Sequence, residues 1–434
     1  MDTKHQKLIK TRLNRHIRIF IMCSLITSFF IISPLLIAYA SGYRYDFEKH
    51  KIKQTGILNI DILPRDAQIF LNNKLVDQKI PFNTSLHPDT YLLTIKKNGY
   101  KTWEKNISIN STKTTYVNYI QLVKDEKPQD LNINNVRSFL SNIDSKNALI
   151  IQDENNLQKI STFNFLEKKV DLIENDVNIT NYSISPYQNF VYITKEKSGE
   201  KQLEFFDLDK LNKNFIIDLN TSTENHHIQW LDNENYLAIV KDNNQLKFIK
   251  TNGEIKILEK NIIATENWYS DHKNNIWLYN ENILFFEKEN YIVNSQITEI
   301  IYIDEHLVIG KTTNEFFLID RKTQKIENIK AEKYFFDQKN QQWVVYSDWE
   351  IFTIKKDANV NLEYRNGEKI KNLLLAENHN YILSTENKVT ILDTNRLTEF
   401  DILDNPQNNI YLNQKQRELF FISSPNNNLY LLNF

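Results

Sequence analysis

The chain has 434 residues, enough for two or more folded units, with 41% hydrophobic and 25% charged residues, an ordinary globular mix. A formal net charge of −2 gives no dominant basic field, so nucleic acid is not an expected partner. The single cysteine, Cys23, excludes an intramolecular disulfide and a Cys-rich zinc site, and scarce Gly (7) and Pro (8) leave many turns to Asn and Asp, which tolerate positive φ.

Residues 1–18 form a basic tail, with Lys4, Lys7, Lys10, Arg12, Arg15 and Arg18 against Asp2 alone. Residues 19–40, IFIMCSLITSFFIISPLLIAYA, carry no charge. As a helix they would run about 33 Å, enough for the hydrocarbon core of a bilayer. Pro34 is tolerable in such a helix. The positive flank belongs in the cytoplasm, so everything after residue 40 is expected outside, in a single-pass cell-membrane protein of bacterial type exposed at the cell surface. Cys23 sits near the start of the apolar run, the wrong end for a lipidation signal. Ala38-Tyr39-Ala40 resembles a cleavage site, and cutting after Ala40 would give a secreted protein. The run is longer than a signal-peptide core, which favours a retained anchor. Residues 41–54 read as a juxtamembrane linker.

From residue 55 to 123 the pattern is β. Leu58, Ile60 and Ile62 alternate with Asn59 and Asp61, and Ala67, Ile69 and Leu71 resume the alternation after a break at Pro64. Asn72-Asn73 reads as a hairpin turn, Pro88-Asp89 and Asn98-Gly99 as further turns, and Tyr91, Leu93 and Ile95 as a strand. Ile107/Ile109 and Tyr116–Val123 supply more strands, giving a small antiparallel β-sandwich. The residues Gly56-x-Leu58, Pro64-x-x-Ala67-x-Ile69-x-Leu71-Asn72-x-Lys74, Pro81, Leu86-x-Pro88, Tyr91-x-Leu93-x-Ile95 and Gly99-Tyr100-x-x-Trp103 resemble the PEGA domain. The family's Pro-Glu-Gly-Ala stands here as Pro64-Arg65-Asp66-Ala67, and its later Pro-Gly as Pro88-Asp89. The resemblance implies an extracytoplasmic β-sandwich with no catalytic residues. Tyr100 and Trp103 could face a ligand, but large aromatics are mostly core payload, which favours a hairpin turn capping the core.

Residues 124–130, KDEKPQD, read as a linker. Residues 131–434 lack a helical period and repeat one phrase, a turn with Asp, Pro or Asn followed by β-formers. The runs begin near Ala148, Phe190, Tyr236, Ile276, Leu307, Trp343, Tyr381 and Leu419, at intervals averaging about 39 residues. An all-strand period of that length marks a β-propeller. Eight blades are expected, with seven as the alternative because the unit from Trp268 to Asn294 is short. The last unit has only three strands, and residues 130–135 are placed to supply its fourth beside 428–433. Ser185-Pro186-x-x-x-x-Val191-Tyr192 resembles the repeat of TolB-like and WD40-like propellers, while recurrent Gly-His/Trp-Asp pairs are missing.

The fold class is therefore all-β apart from one N-terminal transmembrane helix. No catalytic, cofactor-binding or metal-binding residues are assigned and no cofactor is expected. His226 and His227 are adjacent and would point to opposite faces of a strand. Asp207-x-Asp209 continues with Leu211, Asn212 and Asp218 at positions where an EF-hand needs a ligand, Gly and Glu. Sequons such as Asn83-Thr84-Ser85 follow from the high Asn content. The expected function is a membrane-anchored binding or scaffold protein, the sandwich as stalk and the propeller as platform for a protein or cell-envelope glycan. The alternatives are an extracytoplasmic hydrolase or lyase with its site at the channel mouth, and a receptor that signals through a partner.

Overall fold

The computed structural model describes residues 14–434 except 47–49, 143, 198–199, 211–213, 219–227, 234, 243–244, 262–266, 378–379, 395–397, 405–408 and 424. The chain divides into two compact units, Met1–Lys124 and Asp125–Phe434.

The first unit opens with a helix, Arg15–Ala40, that is apolar on all sides and has no buried residue. It is long and apolar enough to cross a membrane or to serve as a signal sequence. Arg15 and Arg18 occupy its first turn, so the helix starts earlier than the uncharged run. It stops where Ser41 N and Gly42 N donate to Ile37 O (2.8 Å) and Tyr39 O (3.1 Å), with Gly42 at φ +82°. The stretch read as a linker instead pairs as a two-stranded antiparallel hairpin, Tyr43–Asp46 against Lys51–Gln54.

Two sheets follow. Gly56–Leu63 is the middle strand of one, antiparallel to Phe82–Leu86 and parallel to Thr114–Gln121. The other runs in the order Lys74–Leu75, Gln68–Leu71, Asp89–Lys96, Trp103–Ile109. The parallel pair corrects the purely antiparallel expectation; alternating apolar residues look the same in either strand direction, so the pattern could not tell them apart. Leu58, Ile60, Ile62, Ile69, Leu71, Leu93 and Ile95 are all buried, and Asn72 and Asn73 take positive φ (47° and 64°) at their turn. A Cβ on Gly56 would stand 2.3 Å from the backbone oxygen of Asn110. Gly56→Ala is therefore expected to destabilise this unit by about 1–3 kcal/mol. Thermal melting of residues 1–124 within the full chain checks it, and an unchanged transition for this unit would contradict the close approach.

The second unit is a β-propeller. Among the described residues its strands form four-stranded antiparallel sheets in chain order, numbered here blades 1 to 8. Blades 1 and 2 share one long strand, Lys169–Ile184, whose first half pairs with Leu157–Asn164 and whose second half pairs with Phe190–Lys197. Blades 3 to 7 begin at Ile228, Asn267, Ile297, Lys333 and Asn372. The short unit that left a seven-blade count open has its own four strands, Asn267–Ser270, Ile276–Asn280, Ile283–Phe286 and Glu289–Ile292. Blade 8 contributes Ile410–Asn413, Glu418–Ser423 and Asn428–Asn433, and its fourth strand is Gln129–Asp130, paired as Gln129↔Leu431 and Asp130↔Tyr430. The linker reading of 124–130 thus ends early, since its last two residues belong to the ring. Residues 131–136 continue alongside, with Leu131 N donating to Leu429 O (3.0 Å) and Val136 N to Asn427 O (3.0 Å).

The repeating turn has a common chemistry. At the corner after each of several inner strands, one side-chain oxygen accepts two backbone N–H groups: Ser185 Oγ from Tyr187 and Gln188, Asn233 Oδ1 from Asn235 and Tyr236, Asp271 Oδ1 from Lys273 and Asn275, Asp304 Oδ1 from His306 and Leu307, and Asp337 Oδ1 from Lys339 and Asn340. Apolar clusters join successive blades, such as Leu149 and Ile151 with Val191 and Ile193 across blades 1 and 2. At the seam, Phe420 and Leu429 of blade 8 pack with Phe139 and Phe163 of blade 1.

Candidate functional site

The propeller axis is the first place to look for chemistry, because inner strands line it. Here it is filled. The turn pinned by Ser185 carries Pro186 and Tyr187 from blade 2 to blade 6, where Tyr187 meets the Phe336 ring (centroids 5.9 Å) and Gln338 Nε2 donates to Pro186 O (2.6 Å). Tyr302, Tyr334 and Phe336 in turn surround Trp343, at 5.8, 5.9 and 4.9 Å. The phenols are satisfied locally: Tyr269 Oη donates to Ile301 O (3.0 Å), Tyr302 Oη to Asp304 Oδ2 (3.1 Å) and Tyr334 Oη to Glu299 Oε1 (2.7 Å). Desolvation raises the pKa of Tyr187, aided by the Asp232 carboxylate; it raises Tyr302 with Asp304, and Tyr334 with Glu299. The space left beside Tyr187, Asp232, Asp271 and His272 is about 10 Å³, no more than one water needs. Among the described residues there is no cluster of three or more His, Cys, Asp or Glu side chains arranged to hold a metal.

The residues weighed from sequence fall out as follows. Asp207 Oδ1 caps its own turn, accepting from Asp209 N (2.9 Å) and Lys210 N (3.2 Å), while the Asp209 carboxylate accepts from Lys146 N (3.0 Å) and Asn189 Nδ2 (3.0 Å). Leu211, Asn212, His226 and His227 lie outside the described residues. Trp103 is buried in the first unit's core, and Tyr100 lies half-buried under the Lys97 ammonium, 5.1 Å from its ring centre, as a capped hairpin turn would have it. Asn83 Oδ1 accepts from Asn59 Nδ2 across the sheet at 2.5 Å.

Among the described residues of the propeller, one large aromatic is held out to solvent, on a pinned corner. Trp349 is 51% exposed. It sits in the turn between Gln342–Tyr346 and Glu350–Lys355 of blade 6. Ser347 Oγ accepts from Trp349 N (3.1 Å) and Glu350 N (3.0 Å), while Trp349 O and Asp348 O accept from Asn366 N (2.8 Å) and Ile370 N (2.7 Å). Its two sequence neighbours are ion-paired, Asp348 Oδ2 with Lys369 Nζ (2.7 Å) and Glu350 Oε1 with Arg365 Nε (2.6 Å). The hydrogen bond to Asp348 holds the Lys369 ammonium above the ordinary lysine range. A fixed aromatic ringed by charge is the anatomy of an interface anchor. Neither Tyr187 nor Trp349 stood out in the sequence. The available signal for Trp349 was a bulky aromatic inside the polar turn Ser347-Asp348-Trp349-Glu350, where the strand alternation stops. A second concavity, about 340 Å³, is an open polar trough on blade 1 lined by Asn132, Asn135, Gln152, Asp153, Glu154 and Lys159 among others.

Residues 55–124 match the PEGA domain family. No curated protein matches the chain. Among solved structures, the chain is similar to an uncharacterized protein from Listeria monocytogenes EGD-e, at 10% identity and TM-score 0.38, covering 65% of this chain and 99% of that one. It is also similar to the Cps50 (Swd1) β-propeller domain of Myceliophteria thermophila, at 12% identity and TM-score 0.36, covering 59% and 98%. The Dos1 propeller is similar at 10% identity and TM-score 0.44, covering 71% and 94%. A PEGA domain followed by a propeller fits an extracellular binding or scaffold role.

Proposed function

We propose that this chain is a membrane-anchored extracytoplasmic binding or scaffold protein whose propeller docks a protein or cell-envelope glycan at the Trp349 corner, with the PEGA unit as its stalk. Trp349 carries the reading. An indole left in water on a turn that six backbone and side-chain contacts hold in place gains nothing for the fold, whereas burying it against a partner costs little ordering entropy.

A photo-crosslinking amino acid, p-benzoylphenylalanine, placed at Trp349 in living cells tests this. Leu166, an exposed residue on a blade 1 turn, is the control position. Adducts are expected at Trp349 and not at Leu166. Against the partner so identified, Trp349→Ala is expected to weaken binding at least about tenfold. Adducts at neither position, or at both alike, would reject the corner as a docking site.

A further inference from the structure

The hairpin that follows the helix has two unlike faces. Its register is Tyr43↔Gln54, Arg44↔Lys53 and Tyr45↔Ile52, with Lys51 next along the second strand. Side chains alternate across a strand, so Tyr43, Tyr45 and Ile52 share one face with Gln54 at its helix end, while Arg44, Lys51 and Lys53 share the other. The apolar face is open: Tyr43 is 43% exposed, Tyr45 47% and Ile52 69%. A lone two-stranded hairpin is marginal in water and needs a surface to pack on.

The helix end determines which surface is near. Only Ser41 and Gly42 separate Ala40 from Tyr43, so the hairpin begins within about 10 Å of the helix terminus. It is also tied there. Gln54 Nε2 donates to Ser41 O (3.0 Å), and Thr55 N and Oγ1 both donate to Gly42 O (2.7 and 2.8 Å). The Arg44 guanidinium lies 3.7 Å from the centre of the Tyr39 ring and donates to Tyr39 O (2.8 Å) and Tyr43 O (2.9 Å). If the helix spans the bilayer, the hairpin is held at the headgroups.

We propose that the paired strands 43–46 and 51–54 form an interfacial foot, lying flat on the outer leaflet with Tyr43, Tyr45 and Ile52 at the boundary between headgroups and acyl chains and Lys51 and Lys53 toward water. The occupant of the apolar face is the phospholipid surface, because the helix brings it there and tyrosine favours that level of the membrane. The proposal rests on the helix being an anchor.

The test uses the full chain in vesicles of phosphatidylcholine and phosphatidylglycerol. In a Cys23→Ser background, Tyr43→Cys, Tyr45→Cys, Ile52→Cys, Lys51→Cys and Lys53→Cys each receive an environment-sensitive fluorophore, and lipids spin-labelled near the headgroup act as quenchers. Quenching is expected to alternate, at least about threefold stronger at 43, 45 and 52 than at 51 and 53. The otherwise unmodified chain, labelled at Cys23, reports the helix through lipids spin-labelled deep in the acyl chains. A quenched Cys23 with uniform signals along the hairpin, or a gradient along its length, overturns the foot alone. An unquenched Cys23 overturns the anchor and the foot with it.

Discussion

A chain lacking residues 428–434 is expected to lose the cooperative unfolding of the whole propeller, not to fray in one sheet. Asn428–Asn433 is an interior strand, held between Glu418–Ser423 on one side and Gln129–Asp130 on the other. Leu429, Leu431, Leu432 and Phe434 are all buried. Leu429 and Leu431 belong to the cluster that joins blade 8 to Val136, Phe139, Ala148 and Phe163 of blade 1. Truncating a single buried leucine to alanine costs about 2–5 kcal/mol, and a domain's whole net stability is about 5–15 kcal/mol, so losing three buried leucines and Phe434 exceeds the margin. The deletion also strips the partner from Gln129–Asp130 and leaves a new open edge, an aggregation hazard. A graded version is Phe420→Ala. Phe420 stacks on Phe139 (centroids 5.1 Å, 18° between planes) and meets Phe163 and Phe165 at 5.5 and 5.4 Å. Its loss is expected to cost about 3–5 kcal/mol, read as a lowered denaturant midpoint with the slope kept. Lys168 Nζ reaches Glu418 Oε2 across the same seam at 2.5 Å and remains in that variant. A truncated chain whose propeller melts at the wild-type temperature would show that the ring does not depend on this closure.

The propeller's period was legible because a glycine-poor chain must write its turns in side-chain oxygens. Ser185, Asn233, Asp271, Asp304 and Asp337 sit at equivalent corners and perform the same capping, so equivalent letters recur at similar intervals. The closing strand was legible too, because blade 8 was one strand short; its pairing starts one residue earlier than expected, at Gln129. The strand shared by blades 1 and 2 was hidden: Asn175-Asp176 carries the letters of a turn, yet the chain runs on as one strand, Lys169–Ile184, through a register shift there, with Asp176 at φ 55°. The hairpin at 43–54 carries the right alternation in YRYD and KIKQ, but four-residue strands without an Asn-Gly between them do not rise above a linker. Tyr187 and Trp349 were illegible for a different reason. One crosses the ring to Phe336 and the other stays in water, and both outcomes are set by residues about 20 to 150 positions away in sequence, which no local window contains.

Raising the pH from 10 to 12 is expected to unfold the propeller, through its buried phenols. Burial pushes the pKa of Tyr192, Tyr279 and Tyr346 up to about 12, from an ordinary value of 10.0. All three are nearly inaccessible to water. Tyr269 and Tyr381 are raised in the same direction by the same cause. Above pH 10 the unfolded chain ionises these phenols while the folded chain keeps them neutral, so the unfolded state binds fewer protons and stability falls as pH rises. The loss starts at the unfolded pKa and levels off once the pH passes the folded one, which places the window between 10 and about 12 for the three residues. Each costs about 1.4 kcal/mol per pH unit inside it, so the three together remove about 4 kcal/mol per unit, comparable within two units to a domain's entire stability. Below pH 9 the same groups contribute no slope, because both states hold the proton. Denaturant midpoints measured at intervals across this range, with tyrosinate absorbance followed in parallel, check the expectation: phenol ionisation should coincide with unfolding instead of preceding it. Tyr346→Phe keeps the ring, removes the titrating hydroxyl, and is expected to reduce the slope by about one proton's worth. A propeller whose midpoint is flat from pH 10 to 12, or whose tyrosines ionise while it stays folded, would mean that these phenols are open to water.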